Sequence, residues 1–439
     1  MTDLTTIQPA WLQSEEVQRI FTAFSDRGFV TRAVGGAVRD AVLMPDRPVT
    51  AADIDLATTA RPEQTIAVAE AVGFKAIPTG IAHGTVTLVG AHDAYEVTTL
   101  RSDVSTDGRH ADVAFTEDWI ADAERRDFTI NAIYCEADGR LHDPLGGISD
   151  LAARRLTFVG HADRRIAEDH LRILRLYRFV AQIPKVSVKA SDLEATSRAY
   201  KSLRRLSAER VRTEFLKVLA NVEGPRAVQL LRDYGLLSEL TPTVPWLQRY
   251  RRADRLVKAL SEIDDHRLIV SSGFDDRRFE IFKLAALTVS SPQTASVLQN
   301  RLRLSRAERH TLEIAATYGF GQPLWIFDEA QRRKVRFALP ADDFMTALLS
   351  QAAQWMPEGQ DAQDVYDALH ATLSWTPPTF PLTGADLIEI GAPKGPIVGE
   401  VLNTLMHRWM NAGFEADREG LLIDAEKLLN KTVTGSDDL

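Results

Sequence analysis

The stretch Phe29-Val30-Thr31-Arg32-Ala33-Val34-Gly35-Gly36-Ala37-Val38-Arg39-Asp40, followed closely by Asp53-Ile54-Asp55-Leu56-Ala57, decides the fold. Phe29–Val34 reads as a β-strand, Gly35-Gly36 as a sharp turn, and Ala37 to Leu43 as the start of a helix. The next apolar run carries Asp53 and Asp55, and because side chains alternate faces along a strand, both point the same way. Two carboxylates on one face repel each other unless a cation sits between them. Mg²⁺ takes oxygen ligands and usually keeps substrate phosphates as partners. A Gly-Gly turn beside a twin-Asp strand can therefore hold a nucleoside triphosphate and its metals together. Each piece alone says less, since D-x-D occurs by chance in surface strands and glycines serve any tight turn. The order and spacing carry the reading.

Around this stretch, further strands are expected at Gly84–Leu88, Tyr95–Leu100 and Ala111–Phe115. Helices are expected at Ser14–Phe24 and Pro62–Val72, the first capped by Ser14 with Glu15 and Glu16 in its opening turn. Residues 14–150 thus form an α/β domain with a small mixed sheet. Beyond it the strand signal fades. Leu171–Val180 has helical periodicity, and helical segments continue to the end. Pro377, Pro378 and Pro381 suggest a linker before a final helical module, and Thr432–Leu439 is expected to be disordered.

A chain of 439 residues is too long for one core, so several domains are expected. The single cysteine, Cys135, rules out an intrachain disulfide and fits a reducing compartment. Met1–Ala10 lacks a basic region followed by an apolar core, and no apolar run approaches the roughly 18 residues of a membrane span. A soluble cytoplasmic protein with no membrane partner is the expectation. The net charge of −9 argues weakly against nucleic acid, but charge is unevenly spread. Leu151–Lys217 carries 16 Lys plus Arg against 7 Asp plus Glu, a net of +9, so the remainder carries −18. Such a segment is either a phosphate-binding stripe or a solvated helix face.

Four further clusters bear on chemistry. Glu96 alternates with Thr98 and Leu100 on one face of its strand, where a third carboxylate would complete a two-metal cluster; the alternative is a solvent-facing Glu. Arg101–Ala111 is polar, aperiodic and contains Gly108, and reads as a mobile loop. Arg125-Arg126 offers two planar guanidiniums to phosphate oxygens, or salt-bridges Asp122 and Glu124. In Glu168-Asp169-His170-Leu171-Arg172-Ile173-Leu174-Arg175-Leu176-Tyr177-Arg178, positions 169, 172, 175 and 178 form a ridge on one helix face. An amphipathic helix with a basic outer face is the plain alternative. An Asp followed by an Arg one turn later also presents an acceptor and a donor at fixed separation. That suits cytosine (N4 donor, N3 acceptor) and adenine (N6, N1), while G and U show the opposite polarity. Arg175 and Arg178 would then reach the triphosphate.

Together these stretches resemble the nucleotidyltransferase superfamily, in the branch holding class II tRNA CCA-adding enzymes and bacterial poly(A) polymerases. His83-Gly84-Thr85-Val86, Asp143-Pro144-Leu145-Gly146-Gly147 and Arg125-Arg126-Asp127-Phe128-Thr129-Ile130-Asn131-Ala132 match the family's head domain, and the second Arg of the last motif implies that Arg126 contacts nucleotide. Arg101, Asp103 and Asp107-Gly108-Arg109 are similar to the family's flexible loop, which takes part in adding the final A. The E-D-x-x-R-x-x-R run looks like the amino-acid template, and Leu382–Gly391 with Gly395-Pro396 and Gly399 resembles the family's tail. The resemblance is strong over residues 30–180, recognisable at 381–430 and faint between.

It implies an α/β head (14–150), then an all-α neck with the template helix (151–217), body (218–376) and tail (381–430) that hold tRNA. It implies that Asp53 and Asp55 hold two Mg²⁺ ions with help from Glu96, and that Gly36 and Arg39 cradle the triphosphate with Arg126, Arg175 and Arg178. Asp169 and Arg172 would select CTP and ATP for transfer to the tRNA 3′ end. Val42-Leu43-Met44-Pro45 departs from the family's Leu-Leu-Gly, which puts the loop ahead of Asp53 in doubt. Asp264-Asp265-His266 has no partner pattern, so no phosphohydrolase module is expected. A poly(A) polymerase on the same scaffold, a half-enzyme adding A only, and an idle RNA-binding protein stay open, while a CC-only enzyme is disfavoured because Asp107-Gly108-Arg109 is present. A dinucleotide-binding dehydrogenase is disfavoured, because no G-x-G-x-x-G follows the first strand.

Overall fold

In the computed structural model, the Ser14 side chain accepts the Val17 N–H and starts α1 (Glu15–Ser25), whose apolar face buries Val17, Ile20, Phe21 and Phe24. In chain order there follow β1 (Thr31–Val34), α2 (Gly36–Leu43), β2 (Asp55–Thr58), α3 (Pro62–Ala71), β3 (Lys75–Gly80), β4 (Thr85–Val89), β5 (Ala94–Thr99), β6 (Arg101–Thr106), β7 (Ala111–Phe115), α4 (Trp119–Glu124), β8 (Tyr134–Cys135), β9 (Leu141–His142) and α5 (Gly147–Ala152). The structure describes residues 4–45, 54–106, 111–241, 243–264, 274–320, 326–356 and 361–434. The chain divides into two compact units, Met1–Leu247 with Leu298–Arg303 and Gln248–Val297 with Leu304–Leu439.

In the first unit a seven-stranded mixed sheet runs in the order β3-β4-β5-β2-β1-β8-β9. Only β2 and β5 pair in parallel; the other neighbours are antiparallel. Val34, Ala57, Leu100, Ala123, Ala132 and Tyr134 form a core cluster beneath the central strands. The expected small α/β head is therefore present, with two differences. β3 lacks a strand signature because Pro78 interrupts it, yet it lies at the sheet edge, where a missing N–H is tolerated. Leu100 lies past the end of β5 and is fully buried, with its N–H donating to Thr58 O, so Glu96 and Thr98 keep the outer face without it.

Beyond the sheet, a short parallel pair, β10 (Arg155–Leu156) with β11 (Ser187–Val188), flanks α6 (Ala162–Glu168) and α7 (Leu171–Gln182). Then come α8 (Ala190–Arg198), α9 (Ala208–Ala220) and α10 (Gly224–Asp233). α7 is the central element, burying Leu171, Ile173, Leu174, Leu176, Tyr177, Phe179 and Val180 and packing on α9 and α10. Its arginines occupy the remaining stripe, the 3.6-residue pattern of an amphipathic helix.

The second unit is helical throughout its described residues. Arg249 is buried there and donates to the Ala285, Ala286 and Val289 carbonyls at the end of the 276–288 helix, with its guanidinium over the Phe320 ring. Near the C-terminus, Leu382, Leu387, Val401, Leu405, Trp409, Leu421 and Ala425 form a core cluster against which Phe337, Phe380 and Phe414 pack. Phe337 lies on the 329–338 helix, so the helices after the proline-rich stretch share a core with a helix well before it. Among the described residues no helix is long and apolar enough to cross a membrane.

Candidate active site

Gly35 has φ +79°, a left-handed conformation that costs glycine little. A Cβ there would lie 3.3 Å from Asp55 Oδ2, so the turn presses directly on that carboxylate. Asp55 opens β2 and pairs in register with Val34 on β1 and with Glu96 on the parallel strand β5. Both acids are exposed, and their shared register puts them on one face of the sheet. Asp53 lies outside the described residues, and among the described residues no three His, Cys, Asp or Glu form a metal-binding group. The donor set of Asp55 and Glu96 is all carboxylate oxygen, which fits a hard divalent cation.

Arg39, on α2, is buried and reaches two ways. Its Nε and Nη2 bind Asp40 at 2.8 and 2.7 Å, and its Nη1 donates to Asn131 Oδ1 at 2.8 Å. Asn131 Nδ2 donates to Asp127 Oδ1 at 3.0 Å, and Asp127 Oδ2 accepts Arg175 Nε at 2.6 Å. One hydrogen-bonded chain therefore runs from the helix after the glycine turn to α7. Burial would raise the Asp127 carboxyl, but Arg175, Asn131 and the Phe128 N–H outweigh it and hold it down to about 2. Arg39, Arg175 and Arg178 gather round Phe179, with guanidinium carbons 5.0, 5.7 and 4.6 Å from the ring centroid. Gly36 borders the same group, since a Cβ there would lie 3.9 Å from Arg39 Nη2.

The ridge expected from 169 to 178 is broken at its first residue. α6 ends at Glu168, Asp169 is extended (φ −147°, ψ 109°), and α7 begins at Leu171. Asp169 Oδ1 accepts the Leu171 N–H at 3.0 Å, so this residue caps α7 instead of riding on it. Its Oδ2 accepts Arg210 Nη2 from α9 at 2.9 Å. Arg172 is held by Glu168 Oε2 (2.6 Å) and by the Arg165 and Arg125 carbonyls (both 2.9 Å). Three of its five N–H groups are used among the described residues, leaving two. Each Asp169 oxygen likewise keeps a lone pair. The Asp169 and Arg172 side chains thus flank one junction without pairing to each other, each fixed by another residue.

Residues 31–157 match the family model described as the poly A polymerase head domain, and 192–247 the one described as a probable RNA and SrmB-binding site of polymerase A. The mouse (Mus musculus) CCA tRNA nucleotidyltransferase 1, mitochondrial, is 31% identical over 427 residues, spanning 94% of this chain and 92% of its own. The chain belongs to the CCA tRNA nucleotidyltransferase family. A CCA-adding enzyme of Leuconostoc citreum is 38% identical over 239 residues, 54% of this chain and 56% of that one. The crystal structure of the Bacillus stearothermophilus CCA-adding enzyme in complex with CTP superposes with a TM-score of 0.72 at 27% identity, covering 96% of this chain and 98% of that one. Nucleotidyltransferases of this family generally need divalent metal ions.

The Arg125-Arg126 pair makes salt bridges to Asp122. Both guanidiniums grip Asp122, Arg125 Nη2 on Oδ1 at 2.7 Å and Arg126 Nη2 on Oδ2 at 2.9 Å, and the Tyr134 hydroxyl donates to Oδ2 at 2.8 Å. Burial pushes the Asp122 carboxyl up, but Arg126 and Arg125 pull it down further, to about 2. The segment read as a loop from Arg101 is largely β-structure. β6 pairs antiparallel with β7, Arg101 opposite Phe115 and Asp103 opposite Val113, with a register shift after Asp103. A two-stranded ribbon needs no apolar face, so its sequence carries no period. Arg101 Nη1 donates to the His83 carbonyl, and Asp107, Gly108 and Arg109 lie outside the described residues.

Glu168 and Asn131 stand inside quoted motifs without an assigned holding role, and Arg210 and Glu214, which also hold site residues, lie outside them. The last two carry a usable signal. Ser207 caps α9, and Arg210 and Glu214 are four apart, hence on one helix face.

Proposed function

We propose that this chain adds C, C and A to the 3′ end of tRNA from CTP and ATP, without a nucleic-acid template. The observation that carries the reading is the hydrogen-bonded chain Arg39–Asn131–Asp127–Arg175, which joins the helix after the Gly35-Gly36 turn over Asp55 to α7, the helix that carries Arg172.

Asp53 and Asp55, with Glu96, would hold Mg²⁺, which when bound favours ionisation of the RNA 3′-hydroxyl and neutralises charge on the phosphates. Gly36 leaves room for the phosphate chain, and Arg39, Arg126, Arg175 and Arg178 supply positive charge to it. Positioning and charge stabilisation carry most of such a reaction. Asp169 accepts from the exocyclic amine of C or A, and Arg172 donates its remaining N–H groups to the neighbouring ring nitrogen. The β6–β7 segment (Arg101, Asp103, Asp107, Gly108, Arg109) serves the switch to the final A. The basic 151–217 neck, the body (218–376) and the tail (381–430) hold tRNA, and the cytoplasm is the proposed location.

Primer extension with Mg²⁺ tests this, using tRNA lacking its last three nucleotides beside a generic RNA. Growth by C, C, A on tRNA alone supports the proposal. Long A tails on either RNA would make the chain a poly(A) polymerase, the reading favoured by the description of the head-domain match. No extension on either would remove both.

A further inference from the structure

The Arg175–Asp127 and Arg178–Glu214 pairs, three residues apart along α7, are matched very differently. Asp127 is fully used: Oδ2 takes Arg175 Nε at 2.6 Å, while Oδ1 takes Asn131 Nδ2 at 3.0 Å and the Phe128 N–H at 2.9 Å. Arg178 Nη1 reaches Glu214 Oε1 only at 3.2 Å, long for a charge-assisted bond. Glu214 is 6% exposed. Its Oε2 and the Nε of Arg178 are both buried without a hydrogen-bond partner among the described residues. A guanidinium can give a carboxylate two parallel N–H groups, and this one gives a single long bond. Leaving buried polar atoms unmade is costly, so a better-fitting anion would gain where Glu214 does not. Burial lowers Arg178 to about 10, helped by Arg175 and Arg39 and opposed by Glu214. Glu214 therefore supports a cation that its surroundings disfavour.

We propose that Glu214 is a resident counter-anion of Arg178, a positioning residue that holds the guanidinium until the phosphate chain of an incoming nucleotide, or the pyrophosphate product, replaces it. The inference rests on the nucleotide reading above. The exchange is one anion for another, so Glu214 stabilises the ligand-free fold and weakens anion binding. Removing its charge moves these two quantities in opposite directions. A residue that only supports packing would weaken binding when altered.

The test is calorimetric titration of the full chain, without RNA and with metal removed by EDTA, using pyrophosphate and CTP. Wild type is compared with Glu214→Gln and with Glu214→Leu, which keeps volume should the Gln variant not fold. Pyrophosphate is expected to bind Glu214→Gln roughly tenfold tighter, the equivalent of one charge-assisted bond. The ligand-free melting temperature is expected to fall and the ligand-induced rise to grow. The gain in affinity should vanish when Arg178→Gln is added; its persistence would overturn the pairing. Unchanged or weaker pyrophosphate binding in both variants, with CTP still bound by wild type, would overturn the counter-anion role and leave the nucleotide reading standing. Wild type that binds neither ligand would overturn both.

Discussion

The sheet end of the candidate site and its helical end are held by different means. Asp55 and Glu96 are exposed and set side by side by the ladder register, with Gly35 approaching Asp55 closely. Asp169, Arg172, Arg175 and Arg178 are each gripped by a charged side chain, Arg210, Glu168, Asp127 and Glu214, and all but Glu168 come from another part of the chain. On the proposed function, the difference follows from the task. Acids that receive a cation and phosphates need open coordination on a rigid base. Side chains that tell one base from another need donors and acceptors fixed in space, which packed ion pairs provide.

The sharpest way to break this contrast is at the sheet end. Asp55→Asn is expected to lower nucleotide incorporation on the order of a thousandfold. Because the side chain is exposed, the circular-dichroism melt should not move. A variant keeping a tenth of wild-type turnover would break the assignment.

Next in size is Asp122→Asn, which leaves Arg125 and Arg126 without their shared carboxylate and is expected to cost about 3 kcal/mol in denaturant unfolding. The sign of its pH dependence follows from the depressed carboxyl, about 2 against an ordinary 3.8. The stabilisation is fully present above the ordinary value and is lost as pH falls toward 2. Wild type should lose stability across that acid window faster than Asp122→Asn; parallel curves would remove Asp122 as the anchor.

At the helical end, Asp169→Ala is expected to reduce preference for C and A over G and U by about 2 kcal/mol, roughly thirtyfold. Single-nucleotide extension reads this. Equal loss of C and A with G and U still excluded would count against the template role. The smallest expected effect is that of Arg210→Gln, which loosens Asp169 without touching nucleotide: about 1 kcal/mol in the same ratio, roughly fivefold. A drop in rate with the ratio unchanged would make Arg210 a packing residue only.

Much of the sheet end was legible in sequence because its information is local. A glycine pair after an apolar run marks the turn, and period-two alternation places Glu96 outward, as found. β3 and β6 escaped for opposite reasons: Pro78 masks an edge strand, and a polar ribbon has no face to show. The helical end was legible in composition but not in geometry. The three-residue spacing from Asp169 suggested one continuous ridge, yet an Asp just ahead of an apolar run is also a cap, and here its carboxylate takes the Leu171 N–H and the helix starts after it. The grips themselves link residues 41, 48 and 36 apart, in Arg210–Asp169, Arg175–Asp127 and Arg178–Glu214, separations that no local pattern encodes.

The chain Arg39–Asn131–Asp127–Arg175 also has a mechanical meaning. It is a strut between α2 and α7, short, buried and charged at both ends. The two helices cannot part without breaking a charge-assisted bond inside the protein, where water does not replace it. Thermal breathing must therefore be taken up elsewhere, and under the proposed function the strut keeps phosphate-side and base-side contacts at a set separation, a gauge for each incoming nucleotide.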